Sequence, residues 1–78
     1  MTEQEALNWI ADTFEEPPGS LAPETLRDDV PTWDSMGVLA LMAGMDEKFD
    51  IVLTDDDIKS MKGIADILAV LRKHGKID

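Results

Sequence analysis

The sequence predicts an all-α fold: a small four-helix bundle with a long first loop and a short third helix. Three observations carry this. Apolar residues recur at helical spacing in three stretches: Leu7, Ile10, Ala11 and Phe14; Val38, Leu41, Met42, Met45 and Phe49; and Ile64, Ile67, Leu68 and Leu71. No segment alternates apolar and polar residues as a half-buried strand does. Hydroxyl and acidic residues stand where helices would begin, and Pro or Gly where helices would stop. The 78 residues suit one domain, spanning 1–78, and a chain this short buries only ~60% of its unfolded surface, so the core is modest.

Thr2 and Glu5 have the spacing of a capping box, which starts the first helix. Trp9 lies off its apolar face and is expected to be partly exposed. Pro17 and Pro18 lack the N–H that a helix needs and should stop it. From Glu15 to Asp34 there is no periodicity. A short helical turn near Pro23 to Leu26 fits the interval, and Leu21, Leu26, Val30 and Trp33 could pin the loop onto the helices. The second helix should start at Asp34 or Ser35 and end near Phe49 or Asp50. Thr54, with Asp57 three residues on, should cap a short third helix with Asp55 and Asp56 in its first turn. Ile58 and Met61 can point inward, and Gly63 should break that helix. The fourth helix ends with Arg72, Lys73 and His74, cations that suit the negative end of the dipole, and Gly75 is its C-cap.

Composition narrows the function. Seventeen acidic residues against seven basic ones give a formal net charge of −10. Nucleic-acid binding needs Lys and Arg to neutralise the phosphates of the backbone, so no nucleic acid is expected as a partner. The same charge repels anionic membranes and favours basic partner proteins. The longest uncharged apolar run, Met36 to Met45, is ten residues, and a membrane span needs ~20, so no membrane insertion is expected. The start, MTEQEALNW, lacks the pattern of a signal peptide, which points to the cytoplasm. There is no cysteine, so any sulfur chemistry would have to arrive on a cofactor.

Metal and catalytic chemistry find little support. Calcium loops starting at Asp46, Asp50 or Asp55 each put Lys or Val at a ligand position, so no metal site is expected. Ser35 has one possible base, His74, at the far end of the last helix, and no triad spacing supports it. No phosphate-binding or dinucleotide fingerprint is present. The chain is expected to have no catalytic residues and not to be an enzyme.

Ser35 stands apart nonetheless. A serine at a helix start is ordinarily a cap. This one follows a long loop and opens an apolar helix, whose free N–H groups and positive dipole end favour an attached phosphate. The hydroxyl is a natural handle for a phosphodiester.

WDSMG, then FDIVL starting fourteen residues after Ser35, then TDDDI, together resemble an acyl carrier protein. The resemblance runs over the whole chain in length, acidity, helix order and the serine opening helix two. It implies that Ser35 receives 4′-phosphopantetheine from coenzyme A through a separate phosphopantetheinyl transferase. The thiol of that arm then holds acyl intermediates as thioesters. Asp34 and Met36 would flank the arm and contact the transferase, and the bundle interior would shelter an acyl chain. Further partners would be acyl-activating, acyltransferase or synthase enzymes, with the carrier itself a monomer.

The likeness has departures. Carriers of housekeeping fatty acid synthesis usually show acidic residues shortly after the serine. Here those positions are Gly37 and Ala40, and the first acid is Asp46. A specialised fatty acid, lipid or polyketide-type pathway is therefore expected. DSMG is also similar to the motif of D-alanyl carriers, so an aminoacyl or D-alanyl carrier with the same arm is an alternative. A second alternative is an acidic helical interaction module without an arm, with Ser35 only a cap. On the helical wheel Met36, Ala40, Ala43 and Glu47 fall opposite the apolar stripe, with Leu39 at its border. These five residues are the expected partner contacts.

Overall fold

Thr2 and Glu5 form the expected capping box. The Thr2 hydroxyl accepts from the Glu5 N–H at 3.2 Å, and Glu5 accepts from the Thr2 N–H at 2.8 Å. From that start the computed structural model, which describes residues 1–78, runs through α1 (Glu3–Thr13), a single 3-10 turn (Arg27–Asp29), α2 (Ser35–Phe49), α3 (Asp55–Ser60) and α4 (Ile64–Lys73). It has four helices and no strand, as the periodicity predicts.

The predicted apolar faces of α1 and α4 are buried as read, with Ala6 added to that of α1. In α2 the stripe divides. Leu41, Met45 and Phe49 are buried, whereas Val38 and Met42 are only half-buried. Ile58 and Met61 point inward, and Ile51 and Leu53 of the connection before α3 join them. Trp9 is half-buried, edge-on to Phe49 with ring centroids 4.9 Å apart. Gly44 makes room for it, since a Cβ there would come within 2.9 Å of the Trp9 ring.

The first helix ends earlier than its prolines require. Glu15 turns into the left-handed region at φ 59. Its N–H then reaches Asp12 O at 3.1 Å, and the Glu16 N–H reaches Ala11 O at 2.8 Å. This is the paired-carbonyl ending that glycine usually makes. At the end of α4 Gly75 makes the same ending, with Lys76 N–H to Leu71 O at 2.8 Å.

The long loop differs from expectation in two respects. Its helical turn lies at Arg27–Asp29 rather than near Pro23 to Leu26. Leu21, Val30 and Trp33 are buried as expected, but Leu26 is 57% exposed. The backbone around Leu26 is held instead. Arg27 N–H donates to Lys62 O and Ile64 N–H donates to Thr25 O, each at 2.9 Å, in an isolated antiparallel bridge of Leu26 with Gly63. That bridge leaves the Leu26 side chain outside. It also explains Gly63, which does not break α3, since α3 has already stopped at Ser60. A Cβ at Gly63 would lie 2.7 Å from the Thr25 carbonyl oxygen, so the position needs glycine for close approach.

Candidate functional site at the start of α2

The cap of α2 is Asp34. Its backbone is extended, and its Oδ1 accepts from the Gly37 N–H at 3.0 Å. Ser35 is thus the first helical residue and not the cap. An N-cap hydroxyl turns back onto the backbone N–H groups of the first turn, and here a carboxylate already occupies that place. The Ser35 side chain is exposed and takes part in no hydrogen bond within the chain.

Gly37 seals the loop against this first turn. It is buried, whereas Ala40 is exposed. A Cβ there would overlap the Thr32 carbonyl oxygen and come within 3.1 Å of the Phe14 ring. The loop is also fixed by Trp33, which stacks on Phe14 at 5.2 Å, and by the Thr32 hydroxyl, which donates to Glu16 at 2.8 Å.

Two surface cavities flank the start of α2. One, of about 240 Å³, lies between the end of α1 and α2, with Phe14, Met36 and Ala40 as its apolar wall and Glu15 and Asp34 at its rim. The other is a groove of about 590 Å³ that includes Ser35 itself. Val38, Leu39, Met42 and Ile58 form its apolar lining, and Arg27, Asp34 and Asp55 supply its charges. The half-burial of Val38 and Met42 follows from this groove. The bundle interior expected to shelter a chain is filled: Leu41, Met45, Ile64, Ile67 and Leu71 are each 0% exposed. The room lies beside Ser35, between α2 and α3.

Of the expected partner residues, Met36 is 74% and Leu39 61% exposed, and Ala40, Ala43 and Glu47 are exposed as well. Leu39 also borders the groove, so it belongs to both surfaces. No charged residue occurs from Ser35 through Met45.

Across the groove α3 begins with its own box. Thr54 Oγ1 accepts from the Asp57 N–H at 3.1 Å and Asp57 accepts from the Thr54 N–H at 2.9 Å. The Thr54 backbone N–H, and after it the Thr54 hydroxyl, hold the Asp57 carboxyl below the ordinary carboxylate range. His74 is exposed just beyond α4. No three His, Asp or Glu side chains gather to hold a metal ion, and no helix is long and apolar enough to cross a membrane.

Arg27 is a residue that spacing does not single out. It enters the groove because the 3-10 turn sets its guanidinium over the Trp33 ring, 5.3 Å from the centroid. The one signal in the sequence is a lone cation in an acidic loop.

No family model matches the chain. In sequence it is 28% identical over 75 residues to an acyl carrier protein of Kineococcus radiotolerans, covering 90% of this chain and 91% of that one. It is 35% identical over 43 residues to an acyl carrier protein of Bdellovibrio bacteriovorus, covering 55% of each. In structure it is similar to a holo acyl carrier protein from Geobacter metallireducens solved by NMR. The TM-score is 0.75 at 23% identity, with 95% of this chain and 86% of that one covered.

Proposed function

We propose that this chain, similar to acyl carrier proteins in sequence and in fold, is such a carrier and bears a 4′-phosphopantetheine arm on Ser35. The observation that carries the reading is the position of the hydroxyl. It is the first residue of α2, exposed, free of hydrogen bonds and open to a groove. Attachment forms an Oγ–phosphorus bond and breaks the pyrophosphate bond of coenzyme A, adenosine 3′,5′-bisphosphate departs, and the hydroxyl proton leaves to a base on the transferase. The arm supplies the thiol that this cysteine-free chain lacks and holds acyl groups as thioesters. The chain therefore acts as a carrier and not as an enzyme.

The residues fit such a group. An uncommitted hydroxyl needs no rearrangement to react, and Asp34 keeps the first turn capped before and after. Asp34 and Met36 flank the hydroxyl and would meet the transferase. Val38, Leu39, Met42 and Ile58 offer an apolar lining on which an acyl chain can lie without displacing the core. The setting is cytoplasmic, where coenzyme A is available.

The test is the intact mass after incubation with coenzyme A, magnesium and a broad-specificity phosphopantetheinyl transferase. Wild type should gain one phosphopantetheine and Ser35→Ala none. An unmodified wild type would overturn the reading.

Partner choice follows from the outer face of α2. Met36, Leu39, Ala40 and Ala43 form an exposed surface with its first acids only at Asp46 and Glu47. Such a face is recognised by shape and apolar burial, with Met36 as an adaptable anchor. Charge steering toward a basic docking patch is then weak. This favours a specialised pathway over housekeeping fatty acid synthesis. Loaded wild type should be a poor substrate for a synthase with a basic patch, and Ala40→Glu should improve turnover. Gly37 cannot take an acid for the steric reason given above. Turnover as fast as that of a strongly acidic carrier would rule this out.

A further inference from the structure

We infer that Arg27 is the anion-holding residue of the groove, and that the group it holds is the phosphodiester joined to Ser35. The inference rests on the attachment reading above.

The argument begins with the unspent donors of Arg27. A guanidinium carries five N–H donors in a rigid fork suited to phosphate oxygens. The only hydrogen bond the Arg27 side chain makes is a long one, 3.5 Å from Nη1 to the Ile58 carbonyl oxygen. It forms no ion pair, although Asp34 and Asp55 line the same groove and Asp28 and Asp29 follow it in the chain. Its guanidinium carbon lies 5.3 Å from the Trp33 ring centroid, within cation–π reach, and the residue is half-buried. A cation–π contact uses none of the N–H donors, so all but the one on Ile58 are free for an anion.

The second step is charge. Asp34, Ser35, Arg27 and Asp55 share one groove. A phosphodiester on Ser35 adds a negative charge there, to a chain already at −10. Without Arg27 that anion would face two carboxylates and no cation. Arg27 is the one cation lining the groove, and the phosphodiester is the one anion that attachment fixes beside it. A carboxylate on the cargo is a weaker candidate, because cargo sits at the far end of a flexible arm while the phosphate is tethered by a single side chain. Charge-assisted bonds from a guanidinium to phosphate are among the stronger hydrogen bonds proteins make. Holding the phosphate at Arg27 would lay the root of the arm along Leu39, Val38 and Met42 rather than out into solvent.

The experiment is phosphorus NMR of the arm-bearing protein, with the same protein unfolded in urea as the reference. In folded wild type the phosphodiester resonance should be offset from the unfolded position, and the offset should shrink as salt is raised. Arg27→Gln should lose the larger part of the offset and its salt dependence, and Arg27→Lys should keep the charge-dependent part. A variant-free measurement accompanies this. The Arg27 side-chain Nε–H resonance of wild type should shift between the forms without and with the arm. An Arg27→Gln spectrum identical to wild type, or an Nε–H resonance unmoved by attachment, would overturn the inference while leaving Ser35 modified. A wild type that takes no arm fails earlier, in the mass measurement, and removes the attachment reading and this inference together.

Discussion

Two helices begin on opposite sides of the same groove, and each has a hydroxyl residue at its start. At α3 the hydroxyl is Thr54, at the N-cap position, and it is bound in a reciprocal box with Asp57. At α2 the hydroxyl is Ser35, one position further in, and Asp34 does the capping. The third position of α2 is Gly37, which has no side chain to return a bond, so no box forms there. A shift of one residue thus separates a hydroxyl held by the backbone from one left without a partner. Sequence position relative to the cap, more than residue type, decides which hydroxyl is structural.

The comparison depends on the register of the first turn of α2, and Gly37 fixes that register. Alanine in a helix is favoured over glycine by ~1 kcal/mol. Overpacking a well-filled site costs ~1–3 kcal/mol, and here the obstructing atom is the Thr32 backbone oxygen, which cannot swing away as a side chain could. The clash should win. Gly37→Ala is expected to lose about 2 kcal/mol net, from the upper end of that range less the helix gain. Denaturant unfolding measures it directly. A stabilised Gly37→Ala would mean the loop does not seat on α2 as described, and the reason for Asp34 being the cap would go with it.

The next effects separate the two hydroxyls. Removing a capping side chain costs ~1 kcal/mol, and in a domain of this size that lowers Tm by about 4–8 °C. Thr54→Ala and Asp34→Ala should each show such a loss. Ser35→Ala removes an exposed group with no partner and should stay within about 0.5 kcal/mol of wild type. Equal losses at Thr54 and Ser35 would erase the distinction and return Ser35 to a structural role.

Much of this was legible in the sequence because it is local. Thr2–Glu5 and Thr54–Asp57 are pairs three residues apart, and helical spacing fixes their geometry. The buried faces of α1 and α4 follow from the same periodicity. What escaped depends on contacts between distant segments. Leu26 looks like an anchor by its apolarity, yet a backbone bridge to Gly63 holds that point of the loop and leaves the side chain outside. Gly37 stands where housekeeping carriers usually show an acid, yet here the loop at Thr32 covers it. Asp34 and Ser35 are adjacent and both good caps, so spacing alone does not choose between them. Arg27 enters the groove only through its stack on Trp33 and the 3-10 turn. Glu15 makes a turn that glycine usually makes, and nothing in its neighbours signals it.

The smallest expected effect is the pH response of the box that α2 lacks. In α3 the Thr54 N–H, then its hydroxyl, lower the Asp57 pKa, and in α1 the Thr2 N–H and hydroxyl do the same for Glu5. A carboxylate whose folded pKa lies below its unfolded value stabilises the fold in its charged form. That contribution is complete above the ordinary carboxylate range, about pH 4, and is lost as pH falls through the lowered folded values. Near neutral pH neither box should respond. Both groups are fully exposed, so the effect is modest and salt should weaken it. Asp57→Asn keeps an acceptor for the Thr54 N–H but removes the charge, so part of the acid-limb slope of the melting temperature should disappear. Carboxyl NMR titration supplies the direct reading, with Glu5 and Asp57 expected to titrate below their ordinary values. If Asp57 titrates at the ordinary value, or if Asp57→Asn leaves the acid limb unchanged, the carboxylate is not engaged by Thr54 in solution. The start of α3 would then keep only the bond from the Asp57 N–H to the Thr54 hydroxyl, a single cap like the one Asp34 makes at α2.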